Sequence, residues 1–166
     1  MEKPRNELPP KAAGLRPADS REPALSLSKG RLSPHSDLSN RRLIQQFECN
    51  LIPEDSFHHA DHVRLAFAYL REYTPLEALD KFCTALKRYA AARGKSQLYH
   101  ETITHAYFFL IRERMARCPG SDWENFSRQN PDLLVWRNGI LTRYYEESTL
   151  QSELARAVFL FPDKIR

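Results

Sequence analysis

From Ser39 onward, apolar residues in this chain recur at the three- and four-residue spacing of α-helices. This periodicity constrains the fold more than any other feature. In the first such segment Leu43, Ile44 and Phe47 share one helical face. No segment combines strict apolar and polar alternation with turn residues at both ends, as a half-buried strand would. We therefore predict an all-α fold, a compact bundle of about five to seven helices.

Local start and stop signals divide this region into individual helices. Asp55 is placed to cap a second helix. Thr74 opens a third helix with an N-cap residue, a proline at the first helical position and a capping-box glutamate, and Gly94 ends it. A fourth helix is predicted over roughly 99–117, and shorter helices follow from Ser121 onward.

The N-terminal region has a different composition. Residues 1–40 contain six of the eleven prolines and no aromatic residue or cysteine. Such a segment cannot bury enough apolar area to offset chain entropy. We therefore predict a disordered tail over 1–38, followed by a single helical domain over 39–166. The stretch REPALSLSKGRLSP also resembles translated repeat DNA at the front of some bacterial gene models, which implies a gene-model artefact rather than a regulatory tail.

The charge and the apolar runs narrow the range of partners. The formal net charge is +4, but residues 1–40 hold seven Lys and Arg against five Asp and Glu, so half of the excess lies there. The rest is too small for a strongly basic face, and we expect no nucleic-acid partner. No apolar run approaches the ~18 residues of a membrane span, and a secretory signal is missing, so we expect no membrane partner and a cytoplasmic location.

The first of two histidine-rich segments lies on the predicted second helix, where Val63, Ala66 and Phe67 belong to the apolar face. At about 100° per residue, His59 points near the centre of that face and His62 lies about 60° to one side. His58 falls nearer the flank. This geometry selects His59 and His62 as interior residues.

The second segment opens the predicted fourth helix. His100 falls in the middle of its buried stripe, which includes Ile103. His105 falls on the polar side. Glu101 and Thr104 lie at the edge of the interior face. Three histidines, His59, His62 and His100, are thereby predicted to face one interior.

Three interior imidazoles are the ligand set of a divalent metal. Neutral imidazoles that converge are costly to desolvate, and one cation satisfies all three acceptor nitrogens. Three histidines also leave coordination positions open, as in catalytic sites, where Glu101 would be a fourth ligand or the general base. Imidazoles suit Zn, Fe and Mn alike, so the reaction stays open between hydrolysis and oxidation. We predict a metal site of His59, His62 and His100, with Glu101 catalytic, in a pocket for a small molecule.

The alternative is a non-catalytic helical interaction module. In that case the same imidazoles hydrogen-bond to carbonyl or hydroxyl groups inside the core. Convergence of the ring nitrogens on one point favours the metal site, and rings aimed apart favour the interaction module. The sequence leaves both open.

Two strings in the chain carry a resemblance. FHHADHV at 57–63 and YHETIT at 99–104 resemble the F-x-H-x-x-H-[L/V] and Y-H-E-T-[I/L]-T strings of a family of small uncharacterised bacterial proteins. The resemblance covers about residues 55–112. It matches His59, His62, His100 and Glu101, which helical geometry selects independently. The resemblance therefore implies these positions and no particular reaction.

Overall fold

The computed structural model describes residues 34–164, which contain seven α-helices, short 3₁₀ turns and no β-strand. This confirms the all-α prediction. Helix α1 begins at Pro34, within the disordered tail predicted over 1–38, and residues 1–33 of that tail lie outside the described residues. None of the helices in 34–164 has the length and apolarity needed to cross a membrane. The helices are α1 (Pro34–Glu48), α2 (His59–Glu72), α3 (Pro75–Ala91), α4 (Glu101–Arg117), α5 (Trp123–Gln129), α6 (Glu147–Gln151) and α7 (Glu153–Ala157).

The start of α2 differs from the prediction. Asp55 does not cap it, because Glu54–Ser56 forms a separate 3₁₀ turn and the helix begins at His59. The N-cap residue is His58, whose backbone N–H donates to the Asp61 carboxylate at 2.9 Å. An acidic residue at the third helical position satisfies one of the free N–H groups at a helix start. Asp61 therefore sets the boundary.

Helix α2 occupies the centre of the bundle and packs against α1, α3 and α4. Five consecutive residues of α2, from Leu65 to Tyr69, are buried. Consecutive burial covers every side of a helix, so α2 is enclosed rather than lying on the surface with one apolar face. The N-terminal turn of α2 borders the interior space between α3 and α4.

The C-terminal segment covers a second face of α4. Thr102 is fully buried there, and its hydroxyl donates to the Val158 carbonyl at 2.8 Å and accepts the Leu160 N–H at 3.0 Å. His105, predicted on the polar side, is largely covered, with its ring centroid 5.6 Å from that of Phe159. The placement of His105 was wrong because a segment distant in sequence covers that face.

Candidate functional site

A cavity of about 660 Å³ lies between α2, α3 and α4. This is the size of pockets that enclose small organic molecules. The three histidines predicted to face the interior, His59, His62 and His100, all border it. Most of the remaining wall is apolar or aromatic and includes Phe57, Ala66, Leu86, Tyr89, Ile103, Tyr107 and Trp136.

His100 is the N-cap residue of α4, one position outside the helix that was predicted to contain it. Its Nδ1 accepts the Ile103 N–H at 3.3 Å, and its Nε2 donates to the Leu150 carbonyl at 2.8 Å. A carbonyl oxygen only accepts, so the proton lies on Nε2. Burial lowers the pKa of His100, which keeps the ring neutral. Both ring nitrogens of His100 are therefore hydrogen-bonded, Nδ1 within the first turn of α4 and Nε2 to α6.

His59 uses only one of its ring nitrogens. Its Nε2 donates to the Leu133 carbonyl at 2.9 Å, and its ring packs 4.8 Å from Tyr107 and 5.2 Å from Trp136. Burial lowers the pKa of His59, so the ring is neutral at pH 7. Since Nε2 carries the proton, Nδ1 keeps an acceptor lone pair that no group among residues 34–164 satisfies.

His62 lies one turn further along α2. Its ring packs 4.4 Å from that of Phe57. Burial lowers the pKa of His62 to about 4, and the neighbouring His59 contributes to the shift. Neither ring nitrogen has a hydrogen-bond partner in the part of the chain that the structure describes. His62 is therefore a neutral imidazole with unused hydrogen-bonding capacity on the cavity wall.

The ring-nitrogen partners bear on the predicted metal site. Within residues 34–164, no group of three or more His, Cys, Asp or Glu side chains is arranged to hold a metal ion. To become a ligand, His100 would have to release the Ile103 N–H from Nδ1, and coordination through Nε2 would also require release of the Leu150 carbonyl. The three-histidine site stays a prediction, and in the observed arrangement the available nitrogens belong to His59 and His62.

Glu101, the predicted catalytic residue, does not border the cavity. Its carboxylate lies 3.2 Å from the Lys87 ammonium and 3.7 Å from Nε2 of His105. Thr104, the other residue predicted at the edge of the interior, does border the cavity. The sequence pattern thus predicted which face of α4 borders the cavity. Glu101 does not belong to that face, because it forms an ion pair with Lys87 of α3.

Three basic residues border the cavity that were not predicted from the sequence to lie there. Arg93 and Lys95 follow α3, and Arg156 belongs to α7. Basic residues on helices are usually a solvated face, so their side-chain pattern carries no signal of a cavity. Arg156 reaches the cavity only because α7 packs against α4.

Comparisons with known proteins provide no assignment. No protein-family model, curated protein or solved structure matches this chain. The cavity and the side chains that border it are therefore the basis for inferring a function.

Proposed function

We propose that this domain binds a small, mostly apolar molecule in the cavity between α2, α3 and α4. One observation carries the proposal: the apolar wall includes two neutral imidazoles, His59 and His62, with ring nitrogens that the described residues leave unpartnered. Because His59 and His62 border the cavity and keep acceptor nitrogens that the described residues do not use, they favour a ligand that supplies a hydrogen-bond donor. An apolar wall with few polar groups is typical of small-molecule sites.

The cavity wall also suits a ligand with an aromatic or alkyl body. Phe57 and Tyr89 lie 5.2 Å apart between their ring centroids, and Trp136 and Tyr107 both pack against His59. Aromatic side chains provide large contact areas, and contact with an apolar ligand removes that area from water. The gain is roughly 25 cal/mol per Å² of apolar area covered, and it supplies most of the affinity of such a ligand.

The test uses an uncharged fluorescent probe, N-phenylnaphthylamine, whose emission rises in apolar surroundings. Ala90 borders the cavity, whereas its neighbour Ala91 is exposed and does not. Ala90→Trp narrows the cavity, so we expect probe affinity to fall by about tenfold or more. Ala91→Trp adds the same side chain outside the cavity and should bind like the wild type. Equal binding by the two variants, or no saturable binding by the wild type, overturns the proposal.

A metal ion is a second candidate occupant. The observation in its favour is that His59 and His62 lie one helical turn apart on the same wall, each with an available ring nitrogen. The third predicted ligand, His100, would have to give up at least one of its two hydrogen bonds.

Elemental analysis of protein grown in medium supplemented with zinc, iron and manganese tests the metal proposal. On this proposal the wild type carries stoichiometric metal, and His62→Gln loses it. His62→Gln changes no hydrogen bond among the described residues, so loss of metal would not reflect a damaged fold. A wild type without metal removes the proposal.

A further inference from the structure

Four formally charged side chains border the cavity: Glu54, Arg93, Lys95 and Arg156. Glu54 and Lys95 form an ion pair with each other. Arg93 and Arg156 have no carboxylate at ion-pair distance among residues 34–164. The charges at the cavity therefore do not balance, and two guanidinium groups remain in excess.

Arg93 is fixed by neutral acceptors. It donates to the Ile52 carbonyl at 2.8 Å and to the Tyr89 carbonyl at 3.1 Å. Its guanidinium lies 3.4 Å from the centroid of the Tyr89 ring. These contacts hold the group in place without neutralising it, so its positive charge acts on the cavity.

Arg156 has more donors to spare. One terminal nitrogen donates to the Gln97 carbonyl at 3.0 Å, and a guanidinium carries five N–H groups. The charge of Arg156 acts on His100 in the cavity wall, because Arg156 lowers the pKa of His100 more than Glu153 raises it. Arg156 is therefore a positioned cation with free donors beside an apolar space.

Within residues 34–164 the cavity wall contains one carboxylate, that of Glu54, which is paired with Lys95. The three imidazoles of the wall are neutral, and the nearby carboxylate of Glu101 pairs with Lys87 outside the cavity wall. An apolar interior with excess positive charge at its border is complementary to a molecule with an apolar body and one negative end.

We propose that the ligand is an amphiphilic monocarboxylate, with its carboxylate on Arg156 and its alkyl or aromatic body in the cavity. The inference rests on the proposed function, since it assigns the chemical class of the same ligand. Guanidinium and carboxylate groups match in a two-bond fork, which makes Arg156 the selective contact. Arg93 contributes attraction at the same border.

The first experiment compares three ten-carbon competitors below their micelle-forming concentrations: decanoate, decanol and decylamine. Each is titrated against bound N-phenylnaphthylamine. All three share one alkyl chain, so differences report the head group. We expect decanoate to displace the probe at about tenfold lower concentration than decanol, and decylamine to be the weakest.

The second experiment assigns the preference to Arg156. Arg156→Gln keeps a donor for the Gln97 carbonyl but removes the charge, and it should abolish the preference for decanoate while decanol displaces as before. Arg156→Lys keeps the charge without the fork and should retain part of the preference. Arg137→Gln, at an exposed arginine that does not border the cavity, is the matched control and should behave like the wild type.

The outcomes separate the two proposals. Equal displacement by decanoate and decanol, or a decanoate preference that survives Arg156→Gln, overturns the carboxylate assignment and leaves the cavity proposal standing. Failure of all three competitors, together with equal probe binding by Ala90→Trp and Ala91→Trp, overturns both.

Discussion

His100 and His62 border the same cavity, yet their side chains differ in what holds them. The ring of His100 connects a helix start to a distant carbonyl through two hydrogen bonds. The ring of His62 packs on Phe57 and has no such bond among residues 34–164. A fully bonded imidazole contributes to stability, whereas an unbonded one is available to a ligand. The two residues should therefore respond differently to substitution.

Two substitutions of His100 should separate the contributions of its two hydrogen bonds to stability. His100→Ala removes both the cap and the Leu150 contact, and we expect the free energy of unfolding to fall by about 2 kcal/mol. Asparagine is a good N-cap residue but is too short to replace the contact with Leu150, so His100→Asn should lose about half as much. Urea denaturation measures both. Equal losses would mean that the cap contributes nothing.

The neutral ring of His62 predicts a pH dependence of stability. The unfolded chain binds a proton at this histidine near pH 6.5, but the folded chain binds it only near pH 4. Between these values the unfolded state holds more protons, so stability falls as the pH falls, by up to about 3 kcal/mol. Urea denaturation at pH 7 and pH 4.5 measures the loss.

The control for this pH dependence is His62→Gln, which has no titrating group at the position. We expect its stability to change less between pH 7 and pH 4.5 than that of the wild type. An identical slope in wild type and His62→Gln would assign the acid sensitivity to other groups.

At the scale of elements, the helices were predictable because their signals are local. Thr74 is the N-cap residue of α3 and a proline follows it, as expected, although Thr74 makes no side-chain cap hydrogen bond; the apolar spacing also predicts the helices α1 to α4. The coverage of α4 was not predictable. Thr102 bonds to Val158, which lies 56 residues away, and no local pattern encodes that contact.

The contribution of the contact between α4 and the C-terminal segment to stability can be tested by an isosteric substitution of Thr102. Thr102→Val keeps the shape but leaves the Val158 carbonyl and the Leu160 N–H without their partner, which should cost about 2–3 kcal/mol. Thr102→Ser keeps the hydroxyl and loses one methyl group, at about 1 kcal/mol. Thermal unfolding measures both variants.

Hydrogen exchange shows where the Thr102 variants act. The Leu160 amide should exchange faster in Thr102→Val and remain protected in Thr102→Ser. Protection of that amide in both variants would show that the segment is held by other contacts.

At the scale of the whole molecule, the cavity collects residues that are far apart in sequence. Helical geometry found His59, His62 and His100, because two helix starts carry them and local spacing fixes their faces. It could not find Arg93 or Arg156, since Arg93 is positioned by contacts with Ile52 and Tyr89 after the end of α3, and Arg156 by the packing of α7 on α4. The residues of the interior wall can be predicted from helical periodicity, whereas the charged residues at its border are brought there by tertiary structure.

This arrangement predicts that a bound ligand stabilises the domain as one unit. The cavity is bordered by residues of α2, α3, α4, α6 and α7, so an occupant contacts both halves of the described chain. A ligand that binds only the folded state adds about 2.7 kcal/mol at a hundred times its Kd. Saturating decanoate should therefore raise Tm by several degrees in a single transition.

In a Trp123→Phe background, which leaves Trp136 as the single tryptophan, the transition should coincide when followed by backbone ellipticity and by tryptophan fluorescence. Trp136 borders the cavity, while the helices span the domain. Ala90→Trp adds a fluorophore, so ellipticity alone is used for that variant, and the same decanoate concentration should raise its Tm less than that of the wild type. A shift confined to the fluorescence signal would mean that the ligand orders only the segment around Trp136. In that case α6 and α7 would not form part of the ligand-linked unit.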